Sequence, residues 1–270
     1  MTEKPSVALI GAGAMGGALL KGWLAAGSIN GAASAIFDPA ADDEITSLCK
    51  QHKIVANSDA VAEYDAVVIA VKPQIAADVL PAYAGLARNA IVISIMAGKS
   101  TVSISKALKG AGRIARAMPN LPAAIGKGVT GVYATPAVDE CGRKLVESLM
   151  RAAGEVVWVK RETDIDIITA VSGSGPAYYF LLTEALAEAG EAVGLDKSTA
   201  AALARATLAG AGALIETETR APADMRKAVT SPGGTTEAAL KVFDGDEHTL
   251  RKLVKNAVAA AAKRAGELTD

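Results

Sequence analysis

Short apolar runs rich in β-branched residues punctuate the chain up to Lys160: SVALI, SAIF, AVVIAV, AIVISI, RIARA, GVTGVYA and EVVWV. Beyond Lys160 they stop. Several are apolar throughout, as strands covered on both faces must be, and such strands belong to a mainly parallel sheet flanked by crossover helices. The linking segments carry helix punctuation. In ADDEITSLCKQHK, acids occupy the first turn and lysines the last, complementing the helix dipole. The expectation is a doubly wound α/β domain over residues 1–161.

From Asp164 onward the chain reads as long helices, among them AYYFLLTEALAEAGEAVG and KSTAAALARATLAGAGALIETE, with Ala and Gly at helical spacing. A second, all-helical domain is expected over residues 162–270. Small residues let helices approach closely but leave little bulk to fill a core. These helices therefore pack against a second copy of the chain, or else form a compact monomeric domain; composition leaves both open.

With 28 Lys+Arg against 29 Asp+Glu in 270 residues, the net charge is -1. That is no basic excess of the kind that neutralises nucleic-acid phosphates. Cys49 and Cys141 lie far apart and outside any CxxC spacing, which fits a reducing compartment. The opening MTEKPSVALIGAG breaks its apolar run too early for a signal peptide. No stretch approaches about 20 uninterrupted apolar residues, so a cytoplasmic protein with neither nucleic-acid nor membrane partner is expected.

GAGAMG at 11–16 follows directly on SVALI and runs into the helical AMGGALLKGWLAAG. In that context Gly11 permits a tight turn, Gly13 lets a pyrophosphate approach the backbone, and Gly16 lets helix and strand pack closely. Ala14 and Met15 open the helix whose N-terminal N–H groups face the phosphates. The alternative is a turn rich in glycine only for packing. The second strand ends in IFDPAADDE, where Asp38 is placed to accept hydrogen bonds from both adenosine ribose hydroxyls, and no Arg or Lys follows to hold a 2′-phosphate. Taken alone this favours NAD over NADP. An Asp-Pro pair also caps turns, so Asp38 has a purely local reading as well.

Further turns fall where strand ends of an open parallel sheet meet a ligand: Val71-Lys72-Pro73, Met96-Ala97 and Asn120. Lys72 reads equally as a solvated charge. Gly98-Lys99-Ser100 mimics a triphosphate-binding loop, but that loop needs a glycine where Ile93 stands. His52 and His248, the only histidines, form no metal pair, and no GxSxG elbow occurs.

A nicotinamide cofactor brings the hydride, and many dehydrogenases of hydroxy acids add a His or Lys as acid or base. The helical half offers no histidine before His248 and no lysine in SGSGPAYYF. A protonated imine already carries the charge that reduction removes, so hydroxyls and backbone N–H groups suffice to hold it. Such groups are abundant in TSPGGTT at 230–236, which locally reads as a Pro-Gly connector between helices.

GAGAMG with its strand, AVKP followed by SIMAG, RAMPN with Pro122, and VSGSGPAYYF followed by VTSPGGTTEAAL occur in that order. Through them the whole chain resembles the pyrroline-5-carboxylate reductases. The resemblance implies an N-terminal Rossmann domain and a helical domain that intertwines with that of a partner, as a homodimer or a higher oligomer of dimers. It also implies reduction of L-1-pyrroline-5-carboxylate to L-proline with NADPH or NADH. The loop matching Ser231, Gly233, Gly234, Thr235 and Thr236 would surround the substrate, with backbone N–H groups near Gly234 and Thr235 on its carboxylate and Thr236 on its ring nitrogen. Asn57 matches an asparagine near the adenosine, and Ala70–Pro73 and Ile95–Ala97 match cofactor-lining turns. Ser231 and Ser174 have an ordinary alternative as helix caps.

Departures from the family pattern are Ala14 where many members have Asn, Leu121 where Thr is usual, and Asp38 with Ala40 where NADPH-using members often place Thr or Ser. Asp38 thus leaves the choice between NADP(H) and NAD(H) open. Two other readings are a dehydrogenase of the 3-hydroxyacid or 6-phosphogluconate type, whose helix lysine is missing here, and a non-catalytic NAD(P)-sensing protein.

Overall fold

The computed structural model describes residues 4–58 and 63–269. By their internal contacts they form two compact units, Met1–Ser174 with Ala261–Asp270, and Gly175–Ala260.

The first unit is built on strands β1 (Val7–Ile10), β2 (Ala35–Phe37), β3 (Val55–Ala56), β4 (Ala66–Ile69), β5 (Ile91–Ser94), β6 (Ile114–Met118), β7 (Gly128–Ala134) and β8 (Gly154–Trp158), in the order β3-β2-β1-β4-β5-β6-β7-β8. Strands β3 to β6 are mutually parallel. Strand β7 runs antiparallel to β6, because only the short 3-10 turn Leu121–Ile125 joins them and a parallel return needs a longer crossover. Strand β8 then pairs parallel with β7. The two-residue strand β3 was too short to be read in the sequence; it adds Val55 opposite Ala35 at the edge.

Alternate residues of each strand feed the two faces. Leu9, Ile36, Val68 and Ile93 pack with Leu19, Trp23, Val146 and Leu149 on one side. Ile10, Phe37, Ile69 and Val92 pack with Leu80, Met96 and Ile104 on the other. This double burial is why these strands read as unbroken apolar runs.

Helix α1 (Ala14–Ala26) crosses from β1 and ends at Gly27, whose φ of 60° supplies the left-handed cap. Its Trp23 is wholly buried, and the indole N–H donates to the Leu149 carbonyl at 2.8 Å. Helix α2 (Asp43–His52) starts where the sequence punctuation placed it: the Asp42 carboxylate accepts from the Ile45 N–H at 2.8 Å. The connections continue with α3 (Ala76–Val79), α4 (Thr101–Ala107) and α5 (Glu140–Arg151).

Helix α6 (Asp164–Ile168) runs into a π turn, Thr169–Gly173, before α7 (Gly175–Ala192). The sequence reading ran helix on from Asp164 and did not foresee this break. Pro176 has no N–H for the Ser172 carbonyl four residues earlier. That carbonyl instead accepts from the Asn120 side-chain amide at 3.1 Å, while the Ser174 N–H donates to Thr169 at 2.8 Å.

The second unit holds most of α7, then α8 (Lys197–Thr217), α9 (Pro222–Ala228), α10 (Thr235–Asp244) and the first part of α11 (Thr249–Leu268). Helix α8 is N-capped by Asp196, which accepts from the Thr199 N–H at 3.0 Å. The close approach of α7 to α8 is set by small residues, since a Cβ on Gly190 would stand 3.2 Å from that of Ala200. In this unit only Gly175, Ala200 and Ala204 are buried, while Tyr179, Phe180, Leu181, Leu186, Leu203 and Ile215 are exposed. A unit so composed has almost no core of its own. By length and composition, α8 is the one helix among the described residues apolar enough to cross a membrane, though it carries Arg205 mid-way.

Candidate active site

Because β1, β2, β4, β5 and β6 are parallel, their carboxyl ends open on one edge of the sheet. The strand order reverses at β1, between β2 and β4, and such a switch point leaves a crevice for a ligand. Every residue expected from the sequence to meet the dinucleotide lies at this edge: 11–16 after β1, Asp38 after β2, Asn57 after β3, 70–73 after β4, 95–97 after β5 and Asn120 after β6.

The glycines of the first turn differ in their surroundings. Gly11 has φ +89°, and a Cβ there would stand 2.8 Å from the Ala70 carbonyl oxygen. A Cβ on Gly16 would lie 2.2 Å from the Gly11 carbonyl oxygen, so nothing larger fits between helix and strand. A Cβ on Gly13 would meet nothing within 4 Å. The turn is therefore closed on its protein side and open at Gly13, a cradle that fits a pyrophosphate. Helix α1 has no acid in its first turn, and its first N–H groups, from Ala14, have no carbonyl four residues earlier within the helix. The N–H groups of Gly11 and Ala12 are already used, by the Phe37 carbonyl at 2.9 Å and by the Asp38 carboxylate at 2.7 Å.

Asp38 is thus more committed than its sequence position implied. One oxygen accepts from Ala12; the other accepts from the Ala40 N–H at 2.8 Å, the local turn anticipated for an Asp-Pro pair. Asn57, in the left-handed region at φ 50°, clasps the backbone of the same residue. Its side chain accepts from the Asp38 N–H at 2.8 Å and donates to the Asp38 carbonyl at 3.0 Å. The carboxylate is fixed beside the glycine turn with lone pairs to spare, since each oxygen accepts only one of these bonds.

After β4, Lys72 is exposed and N-caps the 3-10 turn Pro73–Ile75, with Pro at its first position. After β5, Met96 is buried and Ala97 exposed. The Gly98-Lys99-Ser100 stretch is a helix entry: Ser100 accepts from the Ser103 N–H at 3.1 Å to cap α4. Asn120 spends its side chain within the protein, on Ser172 and on the Val129 N–H at 3.0 Å. A cavity of about 360 Å³, lined in part by Asp65, Asn89 and Arg113, opens at the amino ends of the strands, away from this edge.

The loop of Ser231, Gly233, Gly234, Thr235 and Thr236 belongs to the second unit. Ser231 caps no helix by its side chain; its carbonyl closes a turn onto the Gly234 N–H at 3.0 Å. Gly233 takes φ +71°, and Gly234 is the N-cap of α10, with Thr235 and Thr236 in its first turn. Glu237, which sequence reasoning passed over, reaches back so that its carboxylate accepts from the Gly233 N–H at 2.7 Å. An acid three residues after an N-cap is the available signal for such a reach-back bond. The Gly233 N–H, and after it Lys241, hold the Glu237 carboxyl below the usual range. With the Gly233 and Gly234 donors occupied, the N–H groups from Thr235 onward remain for an anion at the helix start.

The switch-point crevice, the glycine cradle and a match of residues 6–98 to the family described as NADP oxidoreductase coenzyme F420-dependent define an NAD(P)-dependent oxidoreductase with a Rossmann-type domain. Residues 162–268 match the family described as pyrroline-5-carboxylate reductase dimerisation. The chain belongs to the pyrroline-5-carboxylate reductase family: it is 38% identical to the enzyme of that name from Pseudomonas aeruginosa, over 98% of this chain and 97% of the relative. Among solved structures, the Coxiella burnetii pyrroline-5-carboxylate reductase superposes with a TM-score of 0.90 at 37% identity, covering 99% of this chain and 100% of that one. The Plasmodium falciparum pyrroline carboxylate reductase, solved with NADP bound, gives 0.82 at 27% identity and covers both chains completely.

Proposed function

We propose that this protein reduces L-1-pyrroline-5-carboxylate to L-proline, using NADPH or NADH as the source of hydride. Membership of the reductase family over nearly the whole chain is the observation that carries this reading. The glycine cradle supports a pyrophosphate beside Gly13, Ala14, Met15 and Gly16, with Asp38 and Asn57 at the adenosine ribose. The turns 70–73 and 95–97 line the remainder of the cofactor; Asn120 acts on that edge through the backbone it fixes. A reduced nicotinamide supplies the hydride that the imine carbon, the ring carbon doubly bonded to nitrogen, accepts.

The protein's own part is binding, orientation and proton handling. The first-turn N–H groups of α10 hold the substrate carboxylate, favoured by the helix dipole. Ser231, Gly233 and Gly234 shape the loop, and the Thr236 hydroxyl orients the ring nitrogen and helps manage its proton. The coreless second unit supports a homodimer, with its exposed apolar helix faces, α8 included, covered by a second copy; sedimentation at micromolar concentration checks this. A location in the cytoplasm fits such an enzyme and its two free cysteines.

Spectrophotometric oxidation of NADPH and NADH with pyrroline-5-carboxylate tests the activity. Thr236→Val should lower kcat roughly 10- to 100-fold, the worth of one hydrogen bond to a charged group, while leaving folding and cofactor affinity intact. Undiminished turnover would remove Thr236 from the reaction.

A further inference from the structure

Arg116 stands on β6 with 2% of its surface exposed, so its charge depends wholly on its neighbours. One guanidinium nitrogen donates to Glu162 at 3.1 Å, and another lies 3.7 Å from Asp166. Its Nε and Nη2 have no hydrogen-bond partner among the described residues, so the two carboxylates carry the compensation. Both carboxylates also lead elsewhere. Glu162 accepts from the Thr101 N–H at 2.6 Å and from its hydroxyl at 2.7 Å, fixing the start of α4. Asp166 accepts from the Thr269 hydroxyl at 3.1 Å, just past the foot of α11.

The same foot touches the turn after β5. Gly98 has φ +67°, and a Cβ there would stand 2.5 Å from the Leu268 carbonyl oxygen. The short segment from Ile95 to Thr101 is thus held at its far end by Glu162 and covered at Gly98 by Leu268, both of which trace to the buried Arg116 through Glu162, Asp166 and Thr269.

We propose that Arg116, Glu162, Asp166 and the foot of α11 are positioning residues for the Ile95–Ala97 turn, setting where it stands against the nicotinamide half of the cofactor. This rests on the reading above that the turn lines the cofactor. The mechanism is mechanical: a left-handed glycine leaves the turn free to adopt several positions, and Leu268 with the Arg116 cluster selects one.

The test compares whole and partial ligands by calorimetry in the full-length protein. Gly98→Ala displaces Leu268, and Thr269→Val removes the hydroxyl from Asp166. Both should weaken NADPH binding roughly five- to tenfold, leave ADP-ribose binding within about twofold, and lower kcat. Arg116→Lys should recover part of what Arg116→Met loses. If NADPH and ADP-ribose affinities fall in parallel, or neither changes in folded variants, the cluster serves stability alone and the inference is overturned. Hydrogen exchange separates its failure from that of the underlying reading. Protection of residues 95–97 by NADPH in the wild type, with unaffected variants, overturns the positioning role alone. Absence of that protection overturns the cofactor reading and the inference with it.

Discussion

Asp38→Ser isolates the cofactor choice. In the structure the carboxylate is held by the Ala12 and Ala40 N–H groups, and its backbone is clasped by Asn57, so its position is set before any cofactor arrives. A 2′-phosphate brought close to it meets a like charge in a half-buried site. At about 4 Å and an effective dielectric between those of water and the protein surface, the repulsion is about 1–4 kcal/mol. With NADH the same carboxylate accepts from ribose hydroxyls instead, worth about 1.5 kcal/mol or more for a charged acceptor. Substitution by Ser removes both effects. It also loosens the bond to Ala12, but that loss falls on both cofactors and cancels in their ratio. The ratio of kcat/KM for NADPH to that for NADH should therefore rise by at least about 2.5 kcal/mol, roughly 50-fold or more. The assay is initial-rate NAD(P)H oxidation with pyrroline-5-carboxylate at fixed ionic strength. A ratio that moves less than about twofold would show that Asp38 serves only the two backbone bonds.

Asn120→Ala leaves the Ser172 carbonyl and the Val129 N–H without their partner, and should cost about 2–3 kcal/mol in urea-induced unfolding. Glu237 has a folded pKa below its ordinary value, so its bond to Gly233 is fully present above the usual carboxylate range and is lost as pH falls through the lowered value. The KM for the imine should rise on that acid limb in the wild type, and in Glu237→Gln it should be raised with no such limb.

Where burial is two-sided the sequence was plain to read. The strands from SVALI to AIVISI read as apolar runs because both faces are covered, and the glycine turn stands out because Gly11 and Gly16 have no room for a Cβ. Scarcity of bulky core residues after Lys160 is legible too, since it is compositional. Side-chain commitments were not. Asp38 has a single position in the sequence but five hydrogen bonds through its carboxylate and backbone, made to residues up to 26 positions away. Asn120 looked like a ligand contact from its place after β6, yet its amide completes a π turn whose cause, Pro176, lies well downstream. Only three-dimensional proximity links those two residues.

The placement of Glu162, Asp166 and Leu268 bears on how such a protein can be inherited or re-engineered. A nucleotide-binding segment that borrows its finishing pieces from far along the chain is not a self-contained cassette. Splicing residues 1–161 of this chain onto a relative would part Thr101 and Arg116 from Glu162, and Gly98 from Leu268. Working chimaeras must therefore carry these partners across together, and lineages that exchange one segment must rematch the other.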